Sequence, residues 1–298
     1  MLLYLRKRLP LLILFTTACT SVAPQSTTSP VRDGNDVAQT LTALYKNTVE
    51  NCGADSKPAF LCSGVTLRGT EYNTAFFPWN PSPNSVSKGG VPFSWLRADT
   101  NFSSLGGNYV NGFFFYPSLS KPSGTEKIEI LCYFPVNANT NSRPTLQGCG
   151  PHTSYPTTSG PCHELTPKVD TAATWYTHYT SVSSNQTSHQ CGFDVRDKVN
   201  YHAGPNFTAG VDGRKLLGIL TNNEMILATW EQDIPEKLPL MAFFYLSTST
   251  SGKTNAKNDQ QRFFQQAGTV LPVIQLTLPT STTGIAKFIF NAADQMSL

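Results

Sequence analysis

Six cysteines between residues 52 and 191 constrain how this chain can fold more than any other feature. A seventh, Cys19, follows a basic cluster (residues 6–8), an apolar run (9–15) and small residues, which is the layout of a secretory signal. Disulfides form in oxidising compartments, so an even set of cysteines in an exported chain predicts three bridges. The set is Cys52, Cys62, Cys132, Cys149, Cys162 and Cys191.

The pairing of these cysteines is mostly open at the level of sequence. Spacing favours Cys52–Cys62, because that bridge would close a short polar loop. The two further bridges are then expected to lie within residues 132–191.

The N-terminal segment sets the expected boundaries of the domain. Residues 1–18 are predicted to be a signal peptide, and residues 19–35, rich in Ser, Thr and Pro, a flexible tether. The residues before Cys19 resemble a bacterial lipobox, although Thr16 stands where leucine is usual. We therefore expect a secreted protein or an outer-membrane lipoprotein with its lipid on Cys19. Residues 36–298 show no break in composition and are expected to form one domain.

The charge balance argues against nucleic acid as a partner. The chain has 22 Lys and Arg against 19 Asp and Glu, and three of the basic residues lie in the signal peptide. The mature protein is therefore close to neutral, whereas nucleic-acid binders carry a strong basic excess. A membrane is expected as a partner only through the lipid on Cys19.

The hydrophobic pattern predicts an α+β fold that is rich in short strands, contains a few helices and is stabilised by disulfides. Runs of β-branched or aromatic residues that end at Pro or Gly predict strands, and apolar residues at helical spacing predict helices. The predicted strands are 109–117, 126–136, 225–230, 240–246, 270–278 and 285–292. The predicted helices are 35–52 with Asn35 as N-cap, 171–182, and 258–268 with Gly268 as C-cap.

Four segments hold the residues best suited to chemistry. In LCSGVTLRGTEY (61–72), an apolar alternation ends at Arg68, and residues 78–99 combine two tryptophans, a Gly-Gly pair and the run FSWLR. HQCGFDVRD (189–197) brings His, Cys, Asp and Arg together. The fourth segment, residues 222–239, places Glu224 at the head of an apolar strand.

These segments resemble one known family. The phrases CSGVTLRGT, WNPSP, GGVPFSWLR, HQCGFDVRD and ATWEQDIPEKLPLMAFFY are similar to the halovibrin family of secreted bacterial proteins, from about residue 40 to the C-terminus. The resemblance implies a toxin-like enzyme that hydrolyses the nicotinamide–ribose bond of NAD, with ADP-ribosyl transfer as a second activity. NAD would be the substrate, with no cofactor and no metal, and a host or competitor protein would be the acceptor for transfer.

The resemblance also implies which residues form the site. Cleavage of NAD builds positive charge on the ribose, so the site needs a carboxylate near the ribose and a cation on the diphosphate. ADP-ribosylating toxins supply them from an Arg ending an early strand, a Ser on a second strand and a Glu opening a later one. By that analogy, Arg68 would bind the diphosphate, Ser94 would brace the pocket and Glu224 would bond the ribose 2′-OH. Phe93 or Trp95 would lie against the nicotinamide.

The sequence departs from the toxin pattern at two places. Transferases that modify arginine carry a second acidic residue two positions before the catalytic Glu, where this chain has Asn222. The missing carboxylate favours hydrolysis over transfer. The Ser-Thr-Ser-like run, residues 247–251, comes after Glu224 and is predicted to be a loop.

Other interpretations of these residues stay open. An arginine at a strand end is commonly solvated or ion-paired, and tryptophans commonly lie in the core. His189 and Asp194 form an alternative catalytic acid–base pair. A zinc site of His152, His163 and Cys191 is disfavoured because Cys191 is expected in a disulfide. The alternative function is a non-catalytic, disulfide-stabilised surface lipoprotein that binds a protein or a glycan.

Overall fold

The computed structural model describes ten parts of the chain, and the predicted signal peptide, Cys19 and most of the predicted tether lie outside them. Within these parts, no helix is both long enough and apolar enough to cross a membrane. The described residues are 33–52, 59–80, 91–116, 129–137, 149, 162, 167–181, 191–194, 205–228 and 240–297.

One nine-stranded sheet organises the described residues. The strands are β1 (Val65–Thr70), β2 (Val91–Leu96), β3 (Asn111–Phe115), β4 (Glu129–Phe134), β5 (Phe193–Asp194), β6 (Glu224–Ala228), β7 (Leu240–Leu246), β8 (Val273–Thr277) and β9 (Lys287–Phe290). Their order is β5-β4-β6-β2-β1-β3-β7-β8-β9. Neighbours are antiparallel except for β7 and β8, which are parallel. The predicted α+β class is confirmed.

Four α-helices accompany the sheet in the described residues, and three of them lie close to predicted helices. The predicted N-cap Asn35 is wrong: the carboxylate of Asp33 accepts a hydrogen bond from the Asn35 backbone N–H at 2.8 Å, so the first helix starts earlier and ends well before residue 52. The helices are α1 (Gly34–Lys46), α2 (Ala172–Ser181), α3 (Pro205–Leu217) and α4 (Thr250–Ala267).

Helix α4 begins eight residues before its predicted start. Its N-cap is Ser249, whose hydroxyl accepts a hydrogen bond from the Gly252 backbone N–H at 3.0 Å. The run 247–251 therefore includes the cap and first residues of a helix, where the sequence analysis expected a loop. Gly268 at φ 67° ends the helix, which confirms the predicted C-cap.

Helix α3 has no counterpart among the predicted elements. Its sequence includes Gly210 and Gly213, which lower helix propensity and weaken the helical pattern. Both glycines allow close packing: a Cβ on Gly213 would lie 2.4 Å from the Trp175 ring of α2, and one on Gly210 would lie 2.6 Å from the Phe193 ring of β5. Close packing against the Trp175 and Phe193 rings, not a local preference for helix, explains why glycine occupies these two positions.

Two hydrophobic clusters bury the two faces of the sheet. One cluster contains alternate residues of β1, Val65 and Leu67, together with Leu41 and Tyr45 of α1. The other cluster contains the rings of β2 and β3 and receives side chains from α2, α3 and α4. A strand between two such clusters buries both of its faces, which explains the nearly continuous apolar runs in the sequence.

Three disulfides join the described cysteines. Cys52–Cys62 ties the segment after α1 to the start of β1, and this predicted pair is confirmed. The other two bridges lie within residues 132–191, also as predicted. They are Cys132–Cys149 and Cys162–Cys191.

One buried carboxyl group makes the stability of this fold depend on pH. Asp259 of α4 is 1% exposed, its Oδ2 accepts a hydrogen bond from Asn111 Nδ2 at 3.4 Å, and its Oδ1 has no partner among the described residues. Burial raises the pKa of Asp259 to about 7, and the charge of Arg262 opposes this only in part. The folded protein therefore holds a proton that the unfolded chain releases near the ordinary value of 3.8.

We expect Asp259→Asn to stabilise the protein most at alkaline pH. Between about pH 4 and about pH 7 the folded state binds the extra proton, so the wild type loses stability as the pH rises through this window. Asparagine keeps the acceptor for Asn111 and does not titrate. At about pH 8 the variant should melt roughly 4–8 °C higher, for a gain of about 2 kcal/mol, and this advantage should shrink at about pH 5. An advantage that does not vary with pH would contradict the prediction.

Candidate functional site

Three neighbouring strands carry Arg68, Ser94 and Glu224. In the order β6-β2-β1, Leu67 of β1 pairs with Ser94 of β2, and Phe93 of β2 pairs with Met225 of β6. Arg68 follows Leu67 and Glu224 precedes Met225, so the three residues occupy neighbouring register positions. Because side chains alternate between the faces of a sheet, Ser94 and Glu224 leave their strands on one face and Arg68 leaves β1 on the other, beside Phe93.

Arg68 is half-buried on β1, and its guanidinium is only partly satisfied by the protein. Its Nη1 donates a hydrogen bond to the Pro92 carbonyl oxygen at 2.7 Å, and its Cζ lies 5.8 Å from the centroid of the Phe93 ring. The buried Nε has no hydrogen-bond partner among the described residues. Burial lowers the pKa of Arg68 to about 10, while Tyr109 and Glu224 oppose this. The side chain is thus a cation with unused donors.

Ser94 is buried and connects β2 to the start of β6. Its hydroxyl donates a hydrogen bond to the Asn223 carbonyl oxygen at 3.2 Å and accepts one from Asn222 Nδ2 at 3.4 Å. Asn222 also donates to the Asn223 carbonyl oxygen at 3.2 Å. Ser94 therefore belongs to a polar network beside Glu224, not to a water-facing strand surface.

The side chain of Asn223 holds β6 against β2 at this point. Its Oδ1 accepts a hydrogen bond from the Trp95 backbone N–H, and its Nδ2 donates one to the Trp95 carbonyl oxygen, both at 2.7 Å. One fully buried amide thus makes both bonds that a paired strand residue would make. The backbone next to Glu224 is fixed as a result. The sequence analysis did not single out Asn223, although it directly precedes the candidate glutamate.

Glu224 opens β6 with only 4% of its surface exposed. Its charge opposes the lowering of the Arg68 pKa that burial causes. The site therefore combines a buried carboxylate with a half-buried guanidinium. Opposite charges in a poorly solvated place interact more strongly than they would in water.

The two predicted nicotinamide walls are core residues in this structure. Phe93 is 4% exposed and packs against Phe113 and Phe115. Trp95 is fully buried, and its Nε1 donates a hydrogen bond to the Ser63 carbonyl oxygen at 2.9 Å. The structure therefore does not expose the Trp95 ring to a ligand, because the alternation of β2 turns it into the aromatic cluster.

The alternative site in residues 189–197 lies largely outside the described residues. His189, His152 and His163 are all outside them, and only the backbone of Asp194 is described, in β5. Cys191 is bonded to Cys162, as the sequence analysis expected. Among the described residues, no group of three or more His, Cys, Asp or Glu side chains is placed to hold a metal ion.

Comparisons with known proteins leave the assignment of a family open. The sequence matches no protein-family model, and no curated protein is significantly similar to it. The halovibrin resemblance therefore rests on the sequence phrases alone.

We expect Asn223→Ala to destabilise the protein far more than Asn222→Ala. Removing the Asn223 amide takes two 2.7 Å hydrogen bonds from the buried backbone of Trp95. The Trp95 carbonyl then keeps the longer bond from the Thr100 hydroxyl at 3.3 Å, and the loss should cost about 1–3 kcal/mol for each buried group that is left less well satisfied. The neighbouring Asn222→Ala is the matched control. The Asn222 amide donates to the Ser94 hydroxyl and to the Asn223 carbonyl oxygen, and that carbonyl still accepts a hydrogen bond from Ser94 when Asn222 is removed. Urea unfolding of both variants measures the difference, and equal losses would show that Asn223 does not brace the two strands.

Proposed function

We propose that this protein is an exported enzyme that cleaves NAD at the nicotinamide–ribose bond. The main support is the adjacency of Arg68, Ser94 and Glu224 on three neighbouring strands. The proposed chemistry needs one cation, one carboxylate and a fixed spacing between them, and the central strands of a sheet give that spacing. The adjacency favours this function over a non-catalytic surface lipoprotein, which does not require a cation and a carboxylate on neighbouring strands.

Arg68 suits the role of diphosphate ligand. Its hydrogen bond to the Pro92 carbonyl oxygen orients the guanidinium, and its Nε has no partner among the described residues, which leaves donors for phosphate oxygens. A planar guanidinium forms two parallel bonds to phosphate, which a lysine ammonium does not. Burial beside Phe93 makes such a bond stronger than it would be at an exposed position.

Glu224 suits the stabilisation of the reacting ribose. When the glycosidic bond breaks, its electron pair moves to the pyridinium nitrogen, nicotinamide leaves as a neutral molecule, and positive charge develops on the ribose. A buried carboxylate held next to this centre lowers the energy of the charged state. Water then adds to the ribose and releases one proton, giving ADP-ribose.

Asn222 supports water over a protein side chain as the acceptor. Its amide donates hydrogen bonds to Ser94 Oγ and to the Asn223 carbonyl oxygen, so it is directed into the network that braces the site. An amide does not accept a proton from an attacking arginine as a carboxylate does. We therefore propose hydrolysis as the main reaction, with ADP-ribosyl transfer as a lesser activity.

The purified, oxidised protein should release nicotinamide from NAD without an added metal or cofactor, and EDTA should not inhibit it. Chromatographic detection of nicotinamide and ADP-ribose checks this. Glu224→Gln, purified in parallel, controls for contaminating enzymes. A preparation with all three disulfides intact that leaves NAD unchanged would rule out the proposed activity.

Paired kinetics should separate the roles of Arg68 and Glu224. Arg68→Ala removes a charge-assisted contact of about 1.5–3 kcal/mol that exists in both the ground state and the transition state, so KM should rise by roughly 10- to 150-fold with a smaller change in kcat. Glu224→Gln keeps the size of the side chain and removes a charge needed only as the bond breaks. Its kcat should fall by about 10²–10³-fold.

A thermal melt of each variant is the control for this comparison. Both proteins should remain folded, because neither substitution removes apolar core or a disulfide. A near-normal kcat for Glu224→Gln would move the active site elsewhere, with His189 and Asp194 as the next pair to test. An unchanged KM with a lower melting temperature for Arg68→Ala would assign that arginine a structural role.

A further inference from the structure

A short loop before β3, residues 106–109, packs against both sides of the candidate site; we call it the glycine loop. At one end, a Cβ on Gly106 would lie 3.3 Å from Asn222 Nδ2, so the loop backbone lies directly against the network beside Glu224. At the other end, a Cβ on Gly69 would lie 2.8 Å from the Cβ of Tyr109, so Tyr109 covers the residue after Arg68. The glycine loop therefore extends from the glutamate side of the site to the arginine side.

The glycine loop has an unusual backbone. Gly107 and Asn108 both adopt the left-handed conformation, with φ of 70° and 57°, and Asn108 is the one non-glycine residue with positive φ in the described part of the chain. Glycine adopts this conformation without strain, whereas a non-glycine residue such as Asn108 adopts it at a cost in free energy, and such residues concentrate at binding and active sites. Here the turn places the Tyr109 ring over Gly107, where an added Cβ would lie 2.8 Å from Tyr109 Cε2.

Tyr109 is the exposed aromatic ring that the site otherwise lacks. It is 37% exposed, whereas Phe93 and Trp95 are 4% and 0% exposed. Gly69 and Gly107 support the ring without covering it with side chains of their own. Its phenol also lies close enough to Arg68 to influence the pKa of that guanidinium. An open ring face over the residue that follows Arg68, whose guanidinium has unused donors, matches a planar heterocycle linked to a phosphate.

We propose that Tyr109 stacks on a heteroaromatic ring of the dinucleotide whose diphosphate Arg68 binds. This inference rests on the proposed function and adds to it a substrate-contacting residue that the sequence did not indicate. NAD carries such a ring at each end, nicotinamide and adenine. Stacking on aromatic side chains recognises either one through its π-face.

The test measures binding of two ligands that the enzyme does not cleave, ADP-ribose and nicotinamide, by calorimetry or NMR titration. Tyr109→Ala should weaken one of them by roughly 5- to 150-fold, the range for loss of base–aromatic stacking. Weaker ADP-ribose binding would assign the adenine end, and weaker nicotinamide binding the nicotinamide end. Tyr109→Phe keeps the ring and should retain most of the affinity. Tyr176→Ala removes another tyrosine, 40% exposed on α2, and is the matched control.

The possible outcomes separate this inference from the proposed function. If the wild type cleaves NAD and Tyr109→Ala binds both ligands normally, the stacking role is wrong and the function stands. If Tyr109→Ala weakens a ligand and Tyr109→Phe retains it, but the wild type does not cleave NAD, the stacking role stands and the enzymatic function is wrong. If the wild type binds neither ligand, both are overturned. Equal losses for Tyr109→Phe and Tyr109→Ala would also overturn stacking, because the ring would not matter.

Discussion

The amide of Asn223 is the contact on which the candidate site depends most. β2 and β6 are far apart in the chain, and their pairing ends at Phe93 and Met225, just before Ser94 and Glu224. The Asn223 side chain continues the join by bonding both backbone groups of Trp95. A buried polar group whose hydrogen bonds are all satisfied stabilises one arrangement of the strands, whereas a buried group with unsatisfied hydrogen bonds destabilises the fold. The position of Glu224 relative to Arg68 follows from this single amide.

Much of the fold was predictable because strands and caps are local properties of a sequence. The aromatic run of β7 and the αL glycine after α4 confirm predictions from a few neighbouring residues. The Cys52–Cys62 bridge also follows from the short spacing of these two cysteines. Helix α3 was not predicted because glycine lowers its helix propensity. Gly213 allows the helix to pack against the Trp175 ring, and a local sequence pattern gives no information about a ring that is distant in the sequence.

The candidate site was predictable only in part, for the same reason. Arg68, Ser94 and Glu224 were chosen by analogy. No single segment of the sequence predicts the strand order that places them on neighbouring strands. Trp95 was expected at the ligand but lies in the core, because the face of β2 that it occupies is decided by the register with its neighbours. Tyr109 gave no signal, because its exposure depends on two glycines that meet it only in the folded chain.

The strand order has a consequence for when the site can exist. Arg68 and Glu224 lie on strands separated by most of the chain, and β3 pairs with β7 across a similarly long interval. Contacts of such high sequence separation form late, because loop-closure entropy must be overcome first. A chain that emerges N-terminus first, from a ribosome or from an export channel, carries the arginine long before the glutamate strand can join it. Any activity of this site therefore belongs to the completed molecule alone, and no nascent fragment lacking β6 contains it.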